Sequence, residues 1–257
     1  MDATTMKART GDSHRHAGAA GKAHGGKAVY GASVGMLLLE TRFPRIPGDG
    51  GNAETWPFPV LWRVVSGATP DRVVRDRDGI VDDFVAAGRE LVAMGADGIA
   101  TNCGFLVLYQ DRLSMACGVP VAASSLLQVP WVERLLPPGR RVGVGTVEAE
   151  SLTPRHLECA GARPDTAVEG TEGGAEFTRV LLGDALELDV DRAREEVVTA
   201  ARRLVERHRD VGAIVLECTN MPPYAAEMSR ATGLPVYDFH SLVCWFQAGL
   251  RPRRFDP

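Results

Sequence analysis

Two cysteines stand in matching surroundings: Cys103 closes the apolar run IATNC and Cys218 closes IVLEC, each just ahead of a helical pattern. Such a place is the carboxyl end of a parallel strand, where open α/β sheets put their ligands. It is also the amino end of a helix, where free backbone N–H groups favour an anion. A thiol held there tends towards thiolate, which is both base and nucleophile. One cysteine in apolar surroundings is most simply a packing residue, but this one recurs. Sliding the chain against itself by 115 residues aligns 95–128 with 210–243 without a gap and superimposes the two cysteines. Identities also fall at Ile99/Ile214, Tyr109/Tyr224, Gly118/Gly233, Pro120/Pro235 and Leu127/Leu242. The register points to an internal duplication. If a pseudo-two-fold axis relates the copies, their strand ends face each other across a cleft, with one thiol on each side of a bound molecule. That placement suits two-base racemisation, in which one group removes a proton from carbon and the other delivers one to the opposite face.

Other polar residues gather at the expected strand ends. Backbone N–H groups of Gly104, Phe105, Thr219 and Asn220 are candidate donors to a substrate carboxylate, and the side chains of Thr101, Asn102, Thr219 and Asn220 flank the same turns. Ser33, Ser124 and Ser125 are expected at further strand ends, and Asn52 in an irregular loop that is either near a site or a surface excursion. Taken singly, each is more often a cap or turn former. Glu217, Asp238 and His240 lie close by in sequence without an assigned role. Cys117, Cys159 and Cys244 lack metal-ligand spacing and read as packing residues, and PGDGGN lacks the Lys-Ser/Thr of a phosphate loop, so phosphate binding has no support.

The elements that must hold these residues follow from alternating apolar runs and helical patterns, the rhythm of a parallel α/β fold. Strands are expected at 29–35, 60–65, 98–101, 119–122, 142–145, 213–216 and 234–237, and helices at 78–94, 106–117, 177–182, 190–208, 223–232 and 242–250. The expected fold class is α/β, with two similar Rossmann-like (flavodoxin-like) lobes and the active site between them. Lobe 1 is expected to comprise 28–127 and 236–257, and lobe 2 128–235. Residues 1–27 hold all three lysines and His14, His16 and His24 among Gly and Ala, and read as a disordered arm. Of the 257 residues 45% are hydrophobic, the balance of a globular protein. A net charge of −4 argues against nucleic-acid or anionic-membrane binding. Five cysteines without CxxC spacing suit a reducing compartment, so a cytoplasmic location is expected. The arginines, among them Arg141, Arg203 and Arg251, read as solvated charges, and a homodimer is the base-rate expectation.

TNCGF at Thr101 to Phe105, ECTNMPPY at Glu217 to Tyr224 and YGASVGML at Tyr30 to Leu37 resemble the aspartate/glutamate (and hydantoin) racemase superfamily over most of the chain after the arm. The resemblance implies a cofactor-independent amino-acid racemase or epimerase of two α/β lobes, without pyridoxal phosphate or metal, in which Cys103 and Cys218 are the acid/base pair. The chain departs from the glutamate-racemase pattern at Gly104, Phe105 and Asn220, and GAS at Gly31 to Ser33 replaces the acidic early turn. These departures imply a different specificity. Maleate isomerase or arylmalonate decarboxylase chemistry on the same fold, and a ligand-binding member without catalysis, are the alternatives.

Overall fold

The computed structural model describes residues 24–76 and 79–255. It contains two four-stranded sheets, parallel throughout. Strands β1 (Val34–Leu39), β2 (Val60–Val65), β3 (Gly98–Thr101) and β4 (Val121–Ala122) form the first, in the order β2-β1-β3-β4. Strands β5 (Arg141–Thr146), β6 (Ala167–Gly170), β7 (Val211–Leu216) and β8 (Val236–Tyr237) form the second, in the order β6-β5-β7-β8. The shared order bears out the two-lobed α/β expectation.

The duplication is visible to the residue. Helix α2 (Gln110–Cys117) and its counterpart (Ala225–Thr232) begin and end 115 positions apart. Both close on a glycine in the left-handed conformation, Gly118 at φ 65° and Gly233 at φ 70°, where a side chain would be strained. Strand pairing repeats as well: Ile99 lies beside Val121 as Ile214 lies beside Val236.

The remaining helices are α1 (Val81–Met94), α3 (Val129–Leu135), α4 (Pro154–Cys159), α5 (Phe177–Leu182), α6 (Val190–Arg207), α7 (Ala225–Thr232) and α8 (Phe239–Leu250). α6 turns Ala193, Val197, Ala201 and Leu204 inward, as their helical spacing requires. α3 and α8 each follow the last strand of one sheet and pack on the other. α3 lies against β5 and β7, while Phe239, Leu242 and Val243 of α8 share a core with Val34, Met36, Ala100 and Ala122 of the first sheet. Val236–Tyr237, expected in lobe 1, pairs with β7 in the second sheet, and the chain crosses to the first sheet only after it.

Several expectations are corrected. β1 begins at Val34 rather than Val29: ladder pairing with β2 and β3 starts at Val34, and the residues before it form loop. The stretch after Cys103 is a 3-10 turn over Gly104–Tyr109 before α2 starts. β6 and α3 were not expected. Of the expected arm, 1–23, with His14 and His16, lies outside the described residues. Lys27 is tied down, its Nζ 2.5 Å from Asp97, which Arg251 also holds at 2.8 Å. Arg203 is likewise not a free surface charge, since it pairs with the buried Glu169 at 2.7 Å. No described helix is long and apolar enough to cross a membrane.

Candidate active site

Cys103 follows β3 and Cys218 follows β7, so the duplicated strands deliver both thiols to carboxyl ends. Both are buried and line one cavity of about 40 Å³. Burial dominates their acidity. The Cys103 thiol is pushed up to about 12, first by desolvation and then by the Glu217 charge; the Phe105 N–H, Arg45 and the Leu106 N–H pull the other way. The Cys218 thiol is also pushed well up, by burial and Glu217, against the N–H of Asn220. The expected drift towards thiolate is thus reversed in the free site: the helix-end donors are present but weaker than desolvation.

Glu217, next to Cys218 in sequence, lines the same cavity, and its charge acts on both thiols. Its Oε2 accepts a 2.7 Å hydrogen bond from the Thr146 hydroxyl, while its Oε1 is buried without a hydrogen-bond partner among the described residues. Burial pushes this carboxyl up to about 7. Gly104 makes room for it, since a Cβ there would meet Glu217 Oε1 at 2.2 Å. Any side chain at 104 would therefore displace the carboxyl from the site.

The cation of the site comes from the irregular loop after β1. Arg45 lines the cavity, donates to Asp49 Oδ1 at 2.7 Å and Thr41 Oγ1 at 2.9 Å, and lies over the Phe43 ring at 4.6 Å. Asp49 is buried and also accepts from the Gly51 N–H at 2.7 Å and Asn220 Nδ2 at 2.5 Å. With its amide oriented to suit its neighbours, Asn102 donates to Thr219 Oγ1 at 2.7 Å and accepts from Arg45 Nη1 at 2.8 Å. The loop reaches the other lobe: Gly50 donates to the Thr219 carbonyl at 3.0 Å, and the N–H groups of Arg42 and Phe43 donate to Asp184 at 2.6 and 3.1 Å. It acts as a strap across the cleft.

The structure brings Asn102, Cys103, Gly104, Phe105, Cys218, Thr219 and Asn220 to the cavity. The other expected site residues have structural partners. Thr101 donates to the Ala123 carbonyl at 2.7 Å, joining β3 to the end of β4. Ser33 precedes β1 and so lies at the opposite edge of the sheet; its carbonyl accepts from Asp97 and Gly98. Ser124 caps the turn over Ser125–Gln128, and Ser125 donates to the Leu216 carbonyl at 2.7 Å, fixing the strand end that carries Cys218. Asn52 caps Glu54 and holds the Arg45 carbonyl at 2.8 Å, so it shapes the strap without lining the cavity. Asp238 caps α8, and His240 stacks on Trp56. Arg45, Asp49 and Phe43 were missed; the available signal was an Arg and an Asp four residues apart in a Gly/Pro-rich loop.

Solved structures of related shape share this arrangement of lobes. Arylmalonate decarboxylase superimposes with a TM-score of 0.58 at 18% identity, over 87% of this chain and 95% of its own. Aspartate racemase from Picrophilus torridus gives 0.53 at 14% identity, over 88% and 96%, and allantoin racemase from Klebsiella pneumoniae 0.55 at 17%, over 85% and 87%. The chain has the fold of the aspartate/glutamate racemase superfamily. No known family's sequence profile matches it.

In sequence, this racemase-fold chain is similar to a dimethylsulfoniopropionate lyase of Durusdinium sp. clade D, 29% identical over 80% of this chain and 71% of that protein. It is also similar to dimethylsulfoniopropionate lyases 7 and 6 of Emiliania huxleyi (strain CCMP1516), each 32% identical, over 80% and 82% of this chain. The chain spans 63% and 57% of the length of those two relatives.

Proposed function

We propose that this protein is a cofactor-independent enzyme that removes the proton α to a small carboxylate, and that it uses this step for β-elimination on dimethylsulfoniopropionate or a close sulfonium analogue. The observation that carries the proposal is the pair of thiols lining one largely apolar cavity with Arg45 as its cation. Sequence similarity to dimethylsulfoniopropionate lyases supports the elimination.

Arg45 and Thr219, which both line the cavity, anchor the substrate carboxylate and stabilise the negative charge that develops on it as the α C–H bond breaks. A cysteine thiolate takes that proton. The C–H electrons become the new double bond, the C–S electrons leave with sulfur, and the products are dimethyl sulfide and acrylate. Leu39, Phe43, Phe105, Leu181 and Leu182 form the apolar walls. Such walls suit two S-methyl groups. The apolar lining is what favours a sulfonium carboxylate over the amino acid expected from sequence.

Head-space detection of dimethyl sulfide from purified protein tests the reading, and no release would overturn it. Elimination needs a single base, whereas racemisation needs two. One of Cys103→Ser and Cys218→Ser should therefore cost at least about 100-fold in kcat and the other far less. Equal loss in both, with α-deuteration and racemisation of an amino acid in deuterated water, would restore the racemase reading that the paired thiols and the fold also fit.

A further inference from the structure

We propose that Glu217 is the outlet through which the site discharges the proton that β-elimination leaves behind. The inference rests on the lyase reading of the same cavity and adds a role that the two thiols cannot fill. Racemisation returns to carbon the proton that it takes. Elimination does not: a sulfonium carboxylate carrying one positive and one negative charge becomes neutral sulfide and an anionic alkenoate, so each turnover leaves one proton on the enzyme. The thiolate that took it is then a buried thiol, which must lose that proton again before the next cycle.

Glu217 is placed for this exchange. Its carboxyl lines the cavity, its backbone adjoins Cys218, and its Oε1 lies against Gly104, the neighbour of Cys103. That oxygen is buried and has no hydrogen-bond partner among the described residues, so it is open to a proton. The ionisable groups around it are Cys103 and Cys218 at the strand ends and Arg45 and Asp49 on the strap. Asp49 is occupied by Arg45 and Asn220, and His156 of α4 packs edge-on against Phe105. Burial tolerates one anion here better than two, because the Glu217 charge opposes ionisation of either thiol. The cycle therefore starts with Glu217 ionised and both thiols protonated. A thiol proton passes to Glu217, the thiolate formed takes the α-proton, and the Glu217 carboxylic acid releases its proton to solvent. Atoms and charge balance without a further reactant, and a carboxyl near 7 suits release at neutral pH.

Two measurements on the full-length protein, wild type and Glu217→Gln, test this. The first follows iodoacetamide alkylation of the Cys103 and Cys218 peptides against pH by mass spectrometry and needs no substrate. If Glu217 and the thiols share one proton, alkylation in wild type rises about tenfold per pH unit up to about 7 and then levels off. In Glu217→Gln it keeps rising above 7. A wild-type profile without the plateau, or a plateau retained in Glu217→Gln, overturns the proposal. The second is dimethyl sulfide release: Glu217→Gln should lower kcat on the order of 100-fold with KM unchanged, and added imidazole should restore turnover in the variant but not raise wild type. Unchanged kcat, or loss that imidazole does not restore, also overturns it. Wild type that shows the plateau but releases no dimethyl sulfide would sink the lyase reading while leaving the Glu217–thiol coupling standing.

Discussion

Glu217 ties acidity to stability. Raised from 4.5 to about 7 by burial, its carboxyl binds a proton more tightly in the folded chain than in the unfolded one. Its contribution is therefore full below pH 4.5 and is lost as pH rises through about 7, a change on the order of 3 kcal/mol. Denaturant unfolding at pH 5 and pH 8 should show wild type weakening across this interval and Glu217→Gln weakening much less. Arg45 gives a second residue-scale expectation. Its planar fork is committed to Asp49, Thr41 and Asn102, so Arg45→Lys should raise KM about tenfold, roughly 1.4 kcal/mol, which steady-state kinetics would read. The thiols were legible because a rare residue recurred at a fixed offset. Their acidity was not legible: helix-end donors are visible from local sequence, whereas the desolvation that outweighs them comes from both lobes closing over the site. Ser33 was misplaced for a related reason, since a small shift in the start of β1 moves it from the ligand edge of the sheet to the opposite one.

At the scale of elements, the strap after β1 converts a scaffold into a site. Asp184, at φ 48°, holds the Arg42 and Phe43 N–H groups with one carboxylate oxygen. Asp184→Ala removes both bonds and places a β-carbon with no polar group at a left-handed position. It should cost on the order of 1–3 kcal/mol in thermal or denaturant unfolding and speed proteolytic cutting between 41 and 59. The long helices were readable because α1 and α6 carry sustained apolar faces. β6, only Ala167–Gly170 with its two buried residues adjacent, carries no alternation to read, and α3 is short and begins beside Pro130. Residues 106–109 read as α-helix because their apolar side chains fit either winding; the 3-10 turn instead runs from Gly104, where Glu217 approaches closely.

At the scale of the molecule, the duplication made the architecture legible, because two αβ units in one register imply two like sheets. The exchange of terminal helices was not legible, since α3 and α8 present apolar faces that either sheet would accept. It has an energetic consequence: each sheet is finished by a helix that follows the other. Ending the chain after Tyr237 would uncover Val34, Met36, Ala100 and Ala122, and the first lobe should then lose its cooperative melt and aggregate. The intact protein should unfold in one transition, with tryptophan fluorescence and far-ultraviolet circular dichroism coinciding.

The same exchange constrains how the cleft can breathe. The chain passes between lobes at the turn before α3 and again at the start of α8, and Gln128 joins these passages by donating to the Asp238 carbonyl at 2.9 Å and accepting from Ser241 at 3.2 Å. Two crossings bolted together behave as one pivot, while the strap, held at Asp184 and Thr219, is the latch. Any rotation that admits a substrate must undo the latch before it turns the pivot. The residues that release first are thus those that carry Arg45, so the carboxylate anchor travels with the door.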